Sequence, residues 1–346
     1  MSGNFRTEVV EQISALTPVV AHWENLWAAC PSATPFQHPS WILSFYREFQ
    51  VRNPRILLAW QGSSLVMVAP FYLWHGPAEI VLALAGNGVS DYLDCLVRPA
   101  AEPIASGALS TFLKNEDAWT RADFRDLEPS ATCMQAALAG VGGDLTTVEV
   151  DCPRAELPER AEDLPAQLRP ALRRDVSRAP RQLARLGVVT LTKARPDDLE
   201  GHYLNLINLH TRQWQADGLP GIFAGKLDRS FFRDAFTGLA AAGLLRLLTL
   251  WLDGRPVAAA AGFVHGQRYY HFITGYDPQY RRQSLGSYII FLAWQEAIDA
   301  GARFFDFLRG GEAYKYRWGA TRHPVYRRIL RPLREDGRSG MPQAEK

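Results

Sequence analysis

No apolar run in this chain approaches the roughly 18 residues that a bilayer-crossing helix needs, so no membrane span is expected. The opening stretch MSGNFRTEVVEQ carries acids and lacks the apolar segment of a secretory leader, so none is expected there. Cysteine is scarce. Cys30, Cys95, Cys133 and Cys152 are far apart with no C-x-x-C pair, which argues against a zinc site, any other metal centre of that kind, and a disulfide framework. Cys95, beside Asp94 in a strand-like run, can be read as a nucleophile or as a buried structural thiol. Charge of one sign is also lacking. Lys and Arg number 38 against 36 Asp and Glu, so the net charge of +2 gives no bulk attraction to nucleic acid, and any basic patch must be local. The expected location is cytoplasmic, or peripheral to the inner face of a membrane.

What is present is a core-forming composition. With 346 residues, 47% of them hydrophobic and 21% charged, the chain can build one large or two ordinary soluble domains. Residues 11–30 show a helical stripe, Pro39 to Phe49 a second helix, and Arg55 to Trp60 and Leu65 to Leu73 a hairpin around Gly62. Strands at 79–85 and 92–97 precede helices near 102–114 and 131–140, which alternate with strands near 122–127 and 145–149. The class is mixed α/β around one sheet.

From Asp151 to Pro170 the composition turns to Pro, Glu and Ala, which reads as a linker. The helix that follows has an apolar stripe from Leu168 through Leu172, Val176, Ala179 and Leu183 to Leu186, with Pro180 as a possible kink. Arg174, Arg178, Arg181 and Arg185 recur on another face, beside Arg173. These arginines form either a solvated face or a docking strip for an anion: cofactor phosphates, an acidic glycan or lipid headgroups. No aromatic interleaving accompanies them, so nucleic acid is not the expected partner. Helices at 197–217 and 230–242 flank a loop from Gly218 to Gly225. Strands 244–252, 256–264 and 268–274 make a meander whose Asp253-Gly254 step is a strong hairpin signal.

The chain is organised around Gln267 to Ala320. An aromatic strand ends at Tyr276-Asp277-Pro278, a basic turn (Arg281, Arg282, Gln283, Ser284, Leu285, Gly286) opens into an amphipathic helix, and Phe304 to Leu308 is a short strand ending at Arg309-Gly310-Gly311. Unpaired N–H groups and arginines at a helix start form an anion site suited to phosphate or pyrophosphate; the plain alternative is an ordinary βαβ turn with surface arginines.

Here the residues resemble a family. Gln283-Ser284-Leu285-Gly286-Ser287 is similar to the first part of the Q/R-x-x-G-x-G/A loop with which GNAT acyltransferases hold the pyrophosphate of acyl-CoA; Tyr288 departs from the last small residue. Asp306-Phe307-Leu308-Arg309-Gly310, Glu312 and Tyr314-Lys315-Tyr316-Arg317-Trp318-Gly319 resemble the acetyltransferase-like family associated with bacterial cellulose and exopolysaccharide biosynthesis. That branch is related to the Fem-type transferases with two GNAT-like halves, and the resemblance covers roughly residues 20–333. It implies an α/β fold of two GNAT-like mixed-sheet halves. The expected organisation is a degenerate first half at 1–150 serving as an acceptor-cleft wall, a linker and basic helix at 151–186, an acyl-CoA-binding half at 187–333 and a polar tail at 334–346.

The resemblance also implies acyl-CoA as co-substrate, no metal, and a polarising backbone N–H in the region Thr274-Gly275-Tyr276-Asp277. Cofactor-binding candidates are Gly275, Arg281, Arg282, Gln283, Ser284, Leu285, Gly286 and Ser287. Catalytic candidates are His210, Asp306, Glu312, Lys315 and Tyr276, with no residue singled out as base. Asp306 reads equally as a structural ion-pair member and His210 as a packing residue. Arg212, Trp214, Arg309 and Tyr314 are substrate-binding candidates, while Gln213 stands where the family often has Arg. Tyr314 and Tyr316 could protonate a departing thiolate or simply pack.

The expected function is acyl transfer from acyl-CoA to an amine or hydroxyl of an envelope acceptor, such as an exopolysaccharide sugar or precursor. Two others stand beside it: N-acylation of a long-chain lipid base, as in bacterial sphingolipid synthesis, and a non-catalytic GNAT-like scaffold in a polysaccharide-synthesis complex. The expected partners are a small-molecule, glycan or lipid acceptor, with peripheral membrane contact through the arginine helix.

Overall fold

The computed structural model describes residues 5–138 and 141–333. The chain divides into two compact units, Met1–Val150 with Pro324–Lys346, and Asp151–His323. The expected tail at 334–346 lies outside the described residues.

In the first unit, β1 (Phe5–Val10), α1 (Val20–Ala29) and α2 (Pro39–Glu48) lead into the hairpin β2 (Pro54–Gln61) and β3 (Ser64–His75). Then follow β4 (Ile80–Leu84), β5 (Leu96–Val97), α3 (Glu102–Asn115), β6 (Arg121–Leu127), the short α4 (Thr132–Gln135) and β7 (Val141–Asp151). β2 and β3 are apolar on both faces because the sheet is covered on both, which explains their continuous runs rather than alternation. Phe71 of β3 stacks on Phe112 of α3 and Phe124 of β6 at the centre of this core. Asp94 accepts from the N–H groups of Thr132 (2.6 Å) and Cys133 (2.8 Å) and so caps α4, and burial lifts its carboxyl to about 6. Cys95 and Cys133, whose sulfurs are 3.2 Å apart, are buried with their thiols pushed up by that burial, which disfavours the thiolate a nucleophile needs.

The second unit holds β8 (Arg154–Glu156), α5 (Leu164–Gln167), α6 (Pro170–Ala184), β9 (Val189–Lys193), α7 (Leu199–Ala216) and α8 (Lys226–Ala241). The meander β10 (Leu245–Leu252), β11 (Arg255–His265) and β12 (Arg268–Tyr276) comes next, followed by a 3-10 turn (Pro278–Gln283), α9 (Leu285–Asp299), β13 (Phe304–Asp306) and α10 (Ala313–Tyr316). The sheet order is β8-β13-β12-β11-β10-β9, with β12 and β13 parallel and the other pairs antiparallel. Asp253 and Gly254 both have positive φ, as a two-residue hairpin turn requires. α6 and α9 supply one apolar layer with Tyr269 and Phe305. On the other layer Phe272 packs against Phe232, Phe236 and Phe263.

Three features depart from the sequence reading. The Pro/Glu/Ala stretch expected as a linker contributes β8 to the sheet and Leu157, Leu164 and Leu168 to the core. α6 runs through Pro180 and packs as part of the same core. The final strand, β14 (Pro324–Pro332), expected to close the second half, instead enters the first sheet, whose order is β1-β2-β3-β4-β6-β14-β7 with β5 on β3. Strand propensity is local, whereas the choice of partner is set by distant side chains. Arg328 shows which ones: it forks onto Asp144 at 3.0 and 2.6 Å, and its third nitrogen donates to the carbonyls of Cys133, Met134 and Ala136.

Arg328→Ala would leave those three carbonyls without their donor and the end of α4 uncapped. It is expected to cost about 3 kcal/mol, read as a lower urea midpoint, with Arg328→Lys recovering only part because it cannot fork.

Candidate functional site

The site grows from a parting of strands. β13 pairs with β12 only through Arg268↔Phe304, Tyr269↔Phe305 and Tyr270↔Asp306. Beyond that, Phe307 donates to the Pro153 carbonyl and Gly310 to that of Asp151, so the chain leaves β12 and follows the β8 side. β12 continues to Tyr276, and among the described residues no strand covers its second edge past Tyr270. The main chain of His271 to Gly275 therefore borders the slot left where the chain departs from β12.

The turn that carries β13 away is held from inside. Leu308 has φ 56° and Gly310 φ 109°, the former a costly conformation for a branched side chain. Lys315, 3% exposed, offsets that strain: its ammonium donates to the carbonyls of Leu308 (3.1 Å), Arg309 (2.6 Å) and Gly310 (3.0 Å) and pairs with Glu312 at 3.0 Å. Asp306 is fully buried, turned away from the ring layer of Phe305 and Phe307. One oxygen accepts from Arg154 Nε at 2.7 Å, the other from the Leu308 N–H, and Arg268 lies 3.7 Å away. Both oxygens are engaged, which is the geometry of an ion pair that anchors the turn. Glu312 is the exposed carboxylate of the cluster, and Tyr314, whose phenol is pushed up by burial and then by Glu312, keeps its proton. Arg309 contributes its carbonyl to Lys315.

Below the slot sits the start of α9. Ser284 takes a left-handed conformation (φ 56°, ψ 36°), which turns the chain so that the helix begins at Leu285 with unpaired N–H groups at its head. Gly286 faces the Tyr276 ring, where a Cβ would stand 3.1 Å from it. The two arginines of the turn differ. Arg281 is tied to Asp217 at 2.7 Å, whereas Arg282 is exposed with no charged partner among the described residues. Gln283 and Ser287 are half-buried beside them.

The cluster on α7 lies elsewhere. His210 is 3% exposed, edge-on to Phe223 and against Trp214, beneath Gly221; burial drags its pKa to about 4 and leaves Nδ1 without a partner. Its backbone touches β12: a Cβ on Gly275 would meet the His210 nitrogen at 2.4 Å, so the glycine is demanded by helix packing. Arg212 pairs with Asp277 (2.9 Å), and Gln213 accepts from the Tyr276 N–H at 3.2 Å, holding the end of β12 where an arginine could not accept. The structure thus gathers Asp306, Glu312, Lys315 and Tyr314 about one turn and Arg282 and Ser284 to Ser287 at the head of α9, while the His210 ring packs against Trp214 and Phe223.

Sequence reasoning passed over the side chains of His271 and Thr274. In a regular strand residues three apart face opposite ways. Ala261 pairs with Ile273 and Gly262 with His271, so Phe272 is an extra residue; the bulge brings Thr274 Oγ1 to 2.8 Å from His271 Nε2 at the point where the strands part. Burial and the Lys315 charge hold His271 down to about 3, so it is a neutral hydrogen-bonding group at physiological pH rather than a base, and its Nδ1 is unpartnered. The bulge is the signal, and a bulge is not written in residue types.

Two outcomes follow. Lys315→Met should destabilise the fold by about 3 kcal/mol or more, read by urea denaturation. For His210, the folded pKa is depressed, so its contribution is present above the unfolded value near 6.5 and is lost as pH falls towards about 4. In that window stability should rise with pH, and His210→Gln should flatten the slope by up to about 1.4 kcal/mol per pH unit, measured by denaturation at successive pH values.

Comparison with known proteins bears on the fold. Residues 170–316 match the family described as acetyltransferase (GNAT) domain. No curated protein matches the sequence. Among solved structures, FemX superposes with TM-score 0.68 at 11% identity, covering 93% of this chain and 96% of its own. The C-terminal domain of a protein assigned as lysylphosphatidylglycerol synthetase from Agrobacterium fabrum gives 0.58 at 14%, covering 90% and 91%. A tandem GNAT protein of the clavulanic acid biosynthesis pathway gives 0.50 at 13%, covering 94% and 97%. The chain has a mixed α/β fold of two GNAT-like halves, and residues 170–316 of its second unit are similar to the family described as acetyltransferase (GNAT) domain.

Proposed function

We propose that the chain moves an acyl group from acyl-CoA to an amine or hydroxyl of a cell-envelope acceptor, an exopolysaccharide sugar or its precursor. The observation that carries this reading is the parting of β12 from β13 directly above the open head of α9. A thioester arm is long, narrow and lined with amides, so it needs main-chain partners along one edge and an anion site at its base; the free edge of β12 and the helix head offer both.

In this reading Arg282 and the N–H groups from Ser284 to Ser287 hold the pyrophosphate, while Arg281 positions the turn through Asp217. Main-chain groups of β12 polarise the thioester carbonyl. Thr274, fixed by neutral His271, sets the position of the reacting end. Glu312 is the accessible carboxylate at the slot and takes the proton from the attacking amine or hydroxyl. Tyr314, which keeps its proton, donates a hydrogen bond to the leaving thiolate, and the proton taken up by Glu312 passes to that thiolate as CoA departs. Asp306 and Lys315 act by holding the turn that keeps the slot open. The acceptor class rests on the resemblance around Asp306 to Gly319.

Acetyl-CoA at 100 times its dissociation constant is expected to add about 2.7 kcal/mol of stability, seen as a raised melting temperature, with Arg282→Glu losing most of the shift. No shift with acetyl-CoA, palmitoyl-CoA or free CoA would sink the proposal. A shift with palmitoyl-CoA alone would replace the sugar acceptor by a lipid base.

A further inference from the structure

Helix α6 carries a charge pattern that neither its own packing nor the cofactor slot uses. At 100° per residue, Leu172, Val176, Ala179 and Leu183 fall on one side, and all four are buried. Arg174, Arg178, Arg181 and Arg185 fall within a narrow arc on the opposite side, and all four are exposed, as is Arg173 at the flank. The stripe runs over 12 residues, Arg174 to Arg185, about 16 Å along the axis. The one acid of the helix, Asp175, lies off the arc, 3.2 Å from Arg317 and 3.6 Å from Arg178. Arg174, Arg181 and Arg185 have no ion-pair partner among the described residues.

The buried side of α6 packs on α9 and on the turn before it. Arginines on the far side therefore point away from the head of α9 and cannot hold a phosphate bound there. A row of exposed cations, three of them without an ion-pair partner among the described residues, on a chain of net charge +2 is a concentrated asymmetry suited to an extended anion outside the unit. The chain that leaves the row is apolar and open to solvent: Leu186 is 50% exposed, Val188 70% and Leu191 45%. An acidic glycan offers nothing to such side chains. A bilayer surface does, because its headgroups meet the guanidiniums while the boundary beneath accepts branched apolar groups.

We infer that the outer face of α6, with Leu186, Val188 and Leu191 at its end, is a docking surface for an anionic lipid bilayer. Binding is peripheral, driven by charge and weakened by salt. It stands whether or not the slot binds acyl-CoA.

The test uses the full chain and sedimentation with vesicles of phosphatidylcholine alone or phosphatidylcholine containing phosphatidylglycerol. Binding is expected only to the second, falling as salt rises. Each arginine contributes roughly fivefold, so the combined variant Arg174→Glu, Arg178→Glu, Arg181→Glu, Arg185→Glu should bind at least about a hundredfold more weakly. The same four positions changed to Lys should stay within a few-fold of the parent. All four side chains are exposed, so an unchanged melting temperature checks the fold, and the salt dependence of the parent is an independent reading. Equal binding to both vesicles, binding to neither, salt-insensitive binding, or full binding by the glutamate variant would overturn the inference. So would capture by polygalacturonate with none by vesicles.

Discussion

A buried ammonium sets the geometry from which the rest of the second unit follows. Lys315 gathers three successive carbonyls, Leu308, Arg309 and Gly310, and this is what lets a leucine sit at positive φ two residues after a strand of three residues. If the turn relaxed, β13 could extend alongside β12 and close the edge that now stands open. Asp306 works from the strand side by binding Arg154 on neighbouring β8 and the Leu308 N–H within the turn. Two buried charges are an expensive way to shape a turn, since an apolar core of the same volume is often as stable. They give a conformation that apolar packing does not favour by itself.

The same logic separates residues that hold the slot from residues that face it. Asp306 and Lys315 are saturated with partners, Arg281 is committed to Asp217, and Gly275 yields its space to α7. Arg282, Glu312 and the head of α9 retain accessible charge or donors. A motif whose residue types all look chemical thus divides into a scaffold and a smaller reactive surface.

Much of the fold could be read in advance because its signals are local: the alternation and turns of β10 to β12, the Asp253-Gly254 step, the apolar stripes of α6 and α9. The turn that opens α9 was legible too, since glycine, arginine and a helix start fall within a few residues. What could not be read depends on distance. β9 is a five-residue edge strand with no buried run of its own, and β8 hides in a stretch rich in Pro, Glu and Ala because a sheet edge can be completed by backbone alone. The approach of Thr274 to His271 needs a bulge set by the partner strand. That Lys315 binds three carbonyls follows from a backbone turn that only the folded state contains.

The place of β14 between β6 and β7 has a consequence for how this chain emerges from a ribosome. Asp151–His323 is contiguous and can close its core as soon as it is exposed. The first unit, although made first, lacks an internal strand of its sheet until Pro324–Pro332 has been synthesised, and holds two unsatisfied edges meanwhile. Order of synthesis and order of completion are therefore reversed: the later segment finishes first, and the earlier one waits on β14, with the loop-closure cost of a contact made across about 200 residues.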